Sequence, residues 1–117
     1  MDVGSKGLVE LNMTIPQGTS LSFDIEHYDE HGNPVDHRDS IIKMCFESKD
    51  LKRKIDLSQC CTGTETGINV NIPYQLTAAL PLQGFVWDMF VYTGGDNCTR
   101  FCYGKVRIVD TYSEDIG

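Results

Sequence analysis

The sequence has no apolar run that approaches the roughly 20 residues a membrane-spanning helix requires, and it has no long segment with a helical period. Basic residues are scarce as well: 10 lysines and arginines stand against 17 acidic residues, which gives a formal net charge of −7. A negative surface repels phosphate backbones and acidic lipid headgroups. The composition therefore argues against nucleic acid and against membranes as partners.

Cysteine pairs spaced for a metal or a redox site are also missing. The chain has five cysteines, an odd number; Cys60 and Cys61 are adjacent, and three residues separate Cys98 from Cys102. The first ten residues carry an acidic side chain at position 2 and lack the apolar core of a signal peptide. We therefore expect a reducing compartment, five free thiols, no disulfide and no bound metal.

The three histidines do not form an obvious site in the sequence. His27 ends an alternating segment, while His31 and His37 flank a turn that contains Pro34. This spacing does not impose convergence on one metal ion, so we expect solvated histidines in a polar loop. No nucleophile with a neighbouring base and no glycine-rich phosphate loop followed by a helix is recognisable. The sequence predicts no catalysis and no cofactor.

What the sequence does contain is a repeated period of two. In residues 19–28, Leu21, Phe23 and Ile25 alternate with polar residues, as in a half-buried strand. Residues 74–80 predict one or two helical turns. The other segments that predict strands are 8–14, 41–46, 51–57, 68–72, 85–92 and 100–109.

This pattern predicts an all-β fold. We expect an Ig-like antiparallel β-sandwich of about seven strands without a disulfide. A single domain at 8–112 is predicted, between a flexible N-terminus at 1–7 and a C-terminal tail at 113–117.

The last two strands predict a hairpin with a specific register. If Tyr92 pairs with Phe101, then Asp88 faces Lys105 and Met89 faces a glycine, so opposite charges meet and a large side chain meets a small one. Trp87 then points into the core.

In the same register, four aromatic side chains share the opposite, outer side of the hairpin. An exposed aromatic patch with a polar rim is typical of a contact surface. We therefore predict a protein-contact face formed by Phe90, Tyr92, Phe101 and Tyr103.

The order of several short motifs resembles the small Ig-like β-sandwich domains of tailed-phage virion proteins, and is similar to the N-terminal domain of baseplate upper proteins. The likeness covers roughly residues 14–112. The chain departs from the pattern at residues 37–39 and 101–103. The matching residues are Pro16–Thr19, Gly32–Asp36, Ile42–Met44, Gly67–Val70, Leu76–Pro81, Phe85–Met89, Thr99–Arg100 and Gly104–Val106.

The resemblance implies a structural subunit of a bacteriophage virion, in the tail or baseplate, that is assembled in the host cytoplasm. Its implied partners are other virion proteins and copies of itself, with no enzymatic activity. A capsid decoration or head-completion protein is one alternative. A carbohydrate-binding module is another, in which Trp87, Tyr92 and Tyr103 would stack on sugar rings; the predicted core position of Trp87 argues against it.

Overall fold

The strands follow from the alternation of apolar and polar side chains along most of the chain. The computed structural model describes residues 2–3, 9–50, 52–94 and 97–110, with only the backbone of residues 2 and 3. These residues form ten strands and one α-helix, α1, at Tyr74–Ala78. The strands are β1 (Asp2–Val3), β2 (Val9–Glu10), β3 (Met13–Pro16), β4 (Leu21–His27), β5 (Ile41–Ser48), β6 (Lys54–Asp56), β7 (Cys61–Gly63), β8 (Gly67–Ile72), β9 (Gly84–Gly94) and β10 (Asn97–Val109).

The strands are arranged in two sheets. The smaller sheet has the order β1-β4-β8-β7, and the larger has the order β2-β10-β9-β5-β6, with β3 also paired to β10. The pairs that join β4 to β8 and β5 to β9 link strands from distant parts of the chain. The predicted all-β class is therefore confirmed. No described helix is long and apolar enough to cross a membrane.

The two sheets bury their apolar sides against each other. Ile25 and Val70 from the smaller sheet belong to the same buried cluster as Phe46, Phe85 and Trp87 from the larger one. Each of these side chains is at most 2% exposed. Burial of apolar surface on this scale is the main force that holds two such layers together.

The observed strands differ from the predicted ones at the N-terminal end. The single strand expected at 8–14 is two short strands, β2 and β3, and both pair in parallel with β10. β1 also pairs in parallel, with β4, so the N-terminal residues contribute to both sheets and the predicted purely antiparallel arrangement is wrong there. The expected tail at 113–117 and most of the expected loose terminus at 1–7 lie outside the described residues.

The segment 59–67, which lies between two predicted strands and for which no strand was predicted, also contains regular structure. A single 3₁₀ turn at Ser58–Cys60 leads into β7, which pairs with β8. The helical turns expected near residue 76 are present as α1. All five cysteines are free.

Candidate functional site

The predicted hairpin of the last two strands forms, but its register is shifted by two residues. Asp88 lies opposite Tyr103 and not Lys105, and Met89 lies opposite Cys102 and not Gly104. The residue that faces Gly104 is Trp87. A shift of two keeps each side chain on its predicted face, because side chains alternate with a period of two.

A β-bulge then changes the position of one aromatic residue. The pairing passes from Arg100 opposite Phe90 to Cys102 opposite Met89, so Phe101 is an extra residue in β10. The Phe101 side chain is 2% exposed and belongs to the core. The prediction that Phe101 lies on the outer contact face is therefore wrong, because the bulge turns it inward.

The other three predicted contact residues do lie on the outer side of the larger sheet. Tyr92 is 41% exposed, and Phe90 and Tyr103 are half-buried. Two more apolar side chains join them: Val86, 40% exposed on β9, and Ile41, 60% exposed on β5 opposite Tyr92. The sequence did signal Ile41, which begins a predicted strand, but only the pairing with β9 shows that it shares a face with Tyr92.

Side chains on this outer sheet face are ordered in rows that run across the strands, and four of these rows surround the exposed aromatic residues. A further row, Gly84, Arg107 and Thr14, lies beyond the first of the four. Residues that are directly paired in neighbouring strands point to the same side of a sheet, so the strand pairing defines each row. From one end to the other, the first row is Lys54, Glu47, Val86 and Lys105; the second is Asp56, Cys45, Asp88, Tyr103 and Glu10; the third is Lys43, Phe90 and Arg100; the fourth is Ile41, Tyr92 and Cys98.

The first three rows enclose a groove of about 640 Å³. Asp88 lies in the second row among the residues that line it, next to Tyr103 and Cys45. Partial burial raises the pKa of the Asp88 carboxyl, Arg100 works against this rise, and Glu47 adds to it. The groove therefore places a partly desolvated carboxylate among aromatic and apolar surface, a chemistry suited to contact with another protein rather than to bulk water.

Arg100 is held over the face by an aromatic ring. Its guanidinium carbon lies 4.8 Å from the centre of the Tyr103 ring, which is the geometry of a cation–π contact. The contact keeps a positive charge beside the groove without an ion pair inside the chain, since the structure records no salt bridge for Arg100 in the described residues. Arg100 can therefore meet an acidic group from a partner.

The Trp87 side chain points away from this surface, although residue 87 is one of those that line the groove. Its side chain is 2% exposed, and its Nε1–H donates a hydrogen bond of 2.7 Å to the Leu11 carbonyl oxygen. The buried position agrees with the core position predicted from the sequence. A sugar could not stack on a ring that is covered in this way, so the platform that the carbohydrate-binding alternative requires is missing one of its three rings.

The histidines are arranged differently from the sequence prediction. His27 and His37 are brought together by the chain reversal between β4 and β5, and their Nδ1 and Nε2 atoms are 2.8 Å apart. His37 is 1% exposed, while the His31 side chain is 76% exposed. The prediction of three solvated histidines is therefore wrong for the pair. No group of three or more metal-binding side chains with suitable geometry is found among the described residues.

Comparison with solved structures finds chains of similar fold, and comparison with known sequences finds no relative. No protein-family model matches the chain, and no curated protein sequence matches it. The fold is similar to the N-terminal domain of phage TP901-1 ORF48, with a TM-score of 0.49 and 8% sequence identity over 93% of this chain and 95% of that chain. The function of this chain is therefore inferred from its own residues.

Proposed function

We propose that the chain is a structural subunit of a bacteriophage virion, in the tail or baseplate, that acts through protein–protein contacts and carries out no catalysis. The observation that carries this proposal is the outer sheet face. Of the five large hydrophobic side chains exposed in the described residues, three lie on it: Ile41, Val86 and Tyr92. Isolated exposed hydrophobic residues are ordinary, but a group of them beside a groove with a charged rim is typical of an interface.

Two further features support the proposal. The motifs between residues 14 and 112 occur in the order that resembles tailed-phage virion domains. The strand order also suits the Ig-like assignment, because β9 lies between β5 and β10 in one sheet while β4 and β8 pair in the other. Such a rigid sandwich presents a flat sheet face to its neighbours.

Incorporation into particles tests the proposal. Particles purified from producing cells should contain the wild-type chain, detected by mass spectrometry and by an antibody against it. The variant with both Ile41→Ser and Tyr92→Ser should fold, because both side chains are at least 41% exposed, and should be depleted from particles. Burying one such side chain at an interface stabilises it by roughly 1.5–3 kcal/mol.

Tyr74→Ser is the matched control. Tyr74 is 55% exposed, but it lies on α1 and not on the outer sheet face. Its replacement should leave incorporation at the wild-type level. A chain that is absent from purified particles would refute the virion assignment, and equal incorporation of all variants would refute the role of this face.

A further inference from the structure

The four rows of the outer sheet face carry an uneven distribution of charge. The second row has three acidic side chains, Asp56, Asp88 and Glu10, and no basic one. The third row has two basic side chains, Lys43 and Arg100, and no acidic one. An acidic row thus lies directly beside a basic row.

The lining of the groove is neutral as a whole, unlike the rest of the chain. It contains four basic residues, Lys43, Lys54, Arg100 and Lys105, and four acidic ones. The acidic four are Glu10, Glu47, Asp56 and Asp88. Since the whole chain has 10 basic and 17 acidic residues, the remainder has 6 basic and 13 acidic, which is the full net charge of −7. Two copies of this acidic chain can therefore meet through these faces without bringing a net negative charge against another.

We propose that a second copy of this chain occupies the outer sheet face. The two copies are related by a two-fold axis that is parallel to the rows and passes between the second row and the third row. This inference rests on the proposed function and names the partner of the same face. Such an axis reverses the strand direction and places the acidic row of each copy against the basic row of the other. Arg100 of the second copy then lies opposite Tyr103, one strand away from Glu10. Lys43 of the second copy lies opposite Cys45, one strand away from Asp56. The long basic side chains can span this one-strand offset to the carboxylates.

The charge pattern selects this axis over the other simple one. An axis parallel to the strands would place each row against its own copy, so that three acidic side chains would face three acidic side chains. The selected axis also brings the first row against the fourth, where Val86 meets Tyr92 of the other copy. Apolar contacts and opposite charges are therefore satisfied by one arrangement.

A charge exchange at Glu10 and Arg100 tests the pairing. Both side chains are exposed, and each dimer contains the pair twice. In sedimentation velocity of the full 117-residue chain, the wild type should form dimers. Glu10→Lys alone and Arg100→Glu alone should each raise the dimer dissociation constant about tenfold or more. The double variant should return it to within about threefold of the wild-type value.

Glu30→Lys is the matched control for net charge. Glu30 is exposed in the turn after β4, its side chain is 77% exposed, and its replacement changes the net charge by the same amount as Glu10→Lys. It should leave the dissociation constant unchanged. Circular dichroism checks that every variant keeps its β-rich fold.

Native cysteines give a second measurement. Cys45 and Cys98 both lie on the outer sheet face, so their alkylation should slow as the wild-type concentration rises through the dissociation constant. In the Glu10→Lys variant, alkylation of Cys45 and Cys98 should slow only at a higher protein concentration than in the wild type. A wild-type chain that stays monomeric up to about 0.5 mM, well above the affinity of a specific interface of standard size, would overturn the proposal. So would a double variant that is not rescued, or a Glu30→Lys variant as weakened as Glu10→Lys.

The outcomes for the pairing and for the virion role are separable. A monomeric chain whose Ile41→Ser/Tyr92→Ser variant is still lost from particles would overturn the self-pairing and leave the virion role intact, with another virion protein on this face. A chain that dimerises with the expected charge rescue but is absent from particles would support the pairing and refute the virion role.

Discussion

His27 Nδ1 and His37 Nε2 lie 2.8 Å apart and share one hydrogen bond. The Phe101 ring makes a T-shaped contact with each of the two imidazole rings. The ring centres of His27 and Phe101 are 4.9 Å apart, and those of His37 and Phe101 are 5.6 Å apart. The second nitrogen of His37 lies 2.9 Å from the Ser40 hydroxyl. The bulge in β10 and the loop between β4 and β5 are thus fastened to each other through three rings.

This arrangement makes the stability of the protein depend on pH. Burial lowers the pKa of His37, and the nearby His27 lowers it further while Asp36 works against both. Burial also lowers the pKa of His27, against the effect of Asp29. Because the hydrogen bond between the rings holds one proton, charging both rings would place two N–H groups against each other.

We expect the free energy of unfolding to fall as the pH drops from 7 to 5. Below the ordinary histidine pKa of about 6.5 the unfolded chain binds more protons than the folded one, so stability rises with pH in this range. Each proton contributes a slope of at most about 1.4 kcal/mol per pH unit. Urea unfolding at several pH values measures it.

His37→Gln should flatten this slope, because it removes one of the two titrating rings. His31→Gln is the matched control, since the His31 side chain is 76% exposed, and its curve should follow the wild type. A wild-type slope that persists in His37→Gln would show that carboxyl groups, and not the paired histidines, set the acid sensitivity.

A second prediction concerns the inward position of Phe101. Phe101→Ala should lower the free energy of unfolding by about 3–5 kcal/mol, the usual loss for a fully buried phenylalanine. Tyr92→Ala, on the exposed side of the same hairpin, should lower it by less than about 1 kcal/mol. Urea denaturation followed by far-UV circular dichroism measures both. Similar small losses for the two variants would place Phe101 on the surface after all.

Gly104 is required because the backbone of Leu11 lies against it. A Cβ atom at position 104 would be 2.0 Å from the Leu11 carbonyl oxygen, the atom that accepts the Trp87 hydrogen bond. Gly104→Ala should therefore displace Leu11, break that hydrogen bond and lower the free energy of unfolding by about 1–3 kcal/mol. The tryptophan emission should shift to longer wavelength.

Gly84→Ala is the control for this substitution. The nearest atom to a Cβ at position 84 is the Lys49 Cε, at 3.6 Å, which is an ordinary contact with a flexible side chain. This variant should stay within about 0.5 kcal/mol of the wild type. If Gly104→Ala were equally harmless, the N-terminal segment would not pack on β10 as described.

The five thiols should differ widely in reactivity in the native chain. Cys98 is exposed, whereas burial raises the pKa of Cys61 and of Cys102 to about 12 each. Because the thiolate is the reactive form, iodoacetamide at pH 8 should label Cys98 first and Cys102 only after unfolding. Mass spectrometry of timed samples gives the order. In denaturant without reductant all five should be labelled, and a lower number would indicate a disulfide.

The sequence predicted the strands whose two faces differ in polarity and missed features that depend on distant residues. β4 was recognisable because apolar and polar side chains alternate along it, and β9 because residues 85–92 form a nearly continuous apolar run. The idea that a glycine accommodates a large residue across the hairpin was right, but the large residue is Trp87 and not Met89. The prediction assumed that the pairing of β9 with β10 keeps one register throughout and therefore contains no bulge. This assumption placed Phe101 on the wrong face.

The candidate site was predictable in part for the same reason. The outward positions of Phe90, Tyr92 and Tyr103 could be predicted because every second side chain along a strand points to the same face. Ile41 and the acidic and basic rows depend on pairing between strands far apart in the chain. The turn that contains Pro34 was recognisable in the sequence and reverses the chain between β4 and β5. The turn residues alone do not determine that the His27 and His37 rings meet.

In the larger sheet β10 lies between β9 and the N-terminal strands β2 and β3, and this position has a consequence for synthesis on the ribosome. The Lys105 amide donates a hydrogen bond to the Asn12 side chain across 93 residues, and among the strands that the structure describes β2 and β3 pair only with β10. These N-terminal strands are translated first and cannot join the larger sheet until β10 has emerged. Non-local pairing of this kind is slow and leaves unpaired strands open to aggregation. A chain whose translation stops before β10 also lacks Arg100, so it cannot present the basic row, and truncated products are excluded from any assembly that requires it.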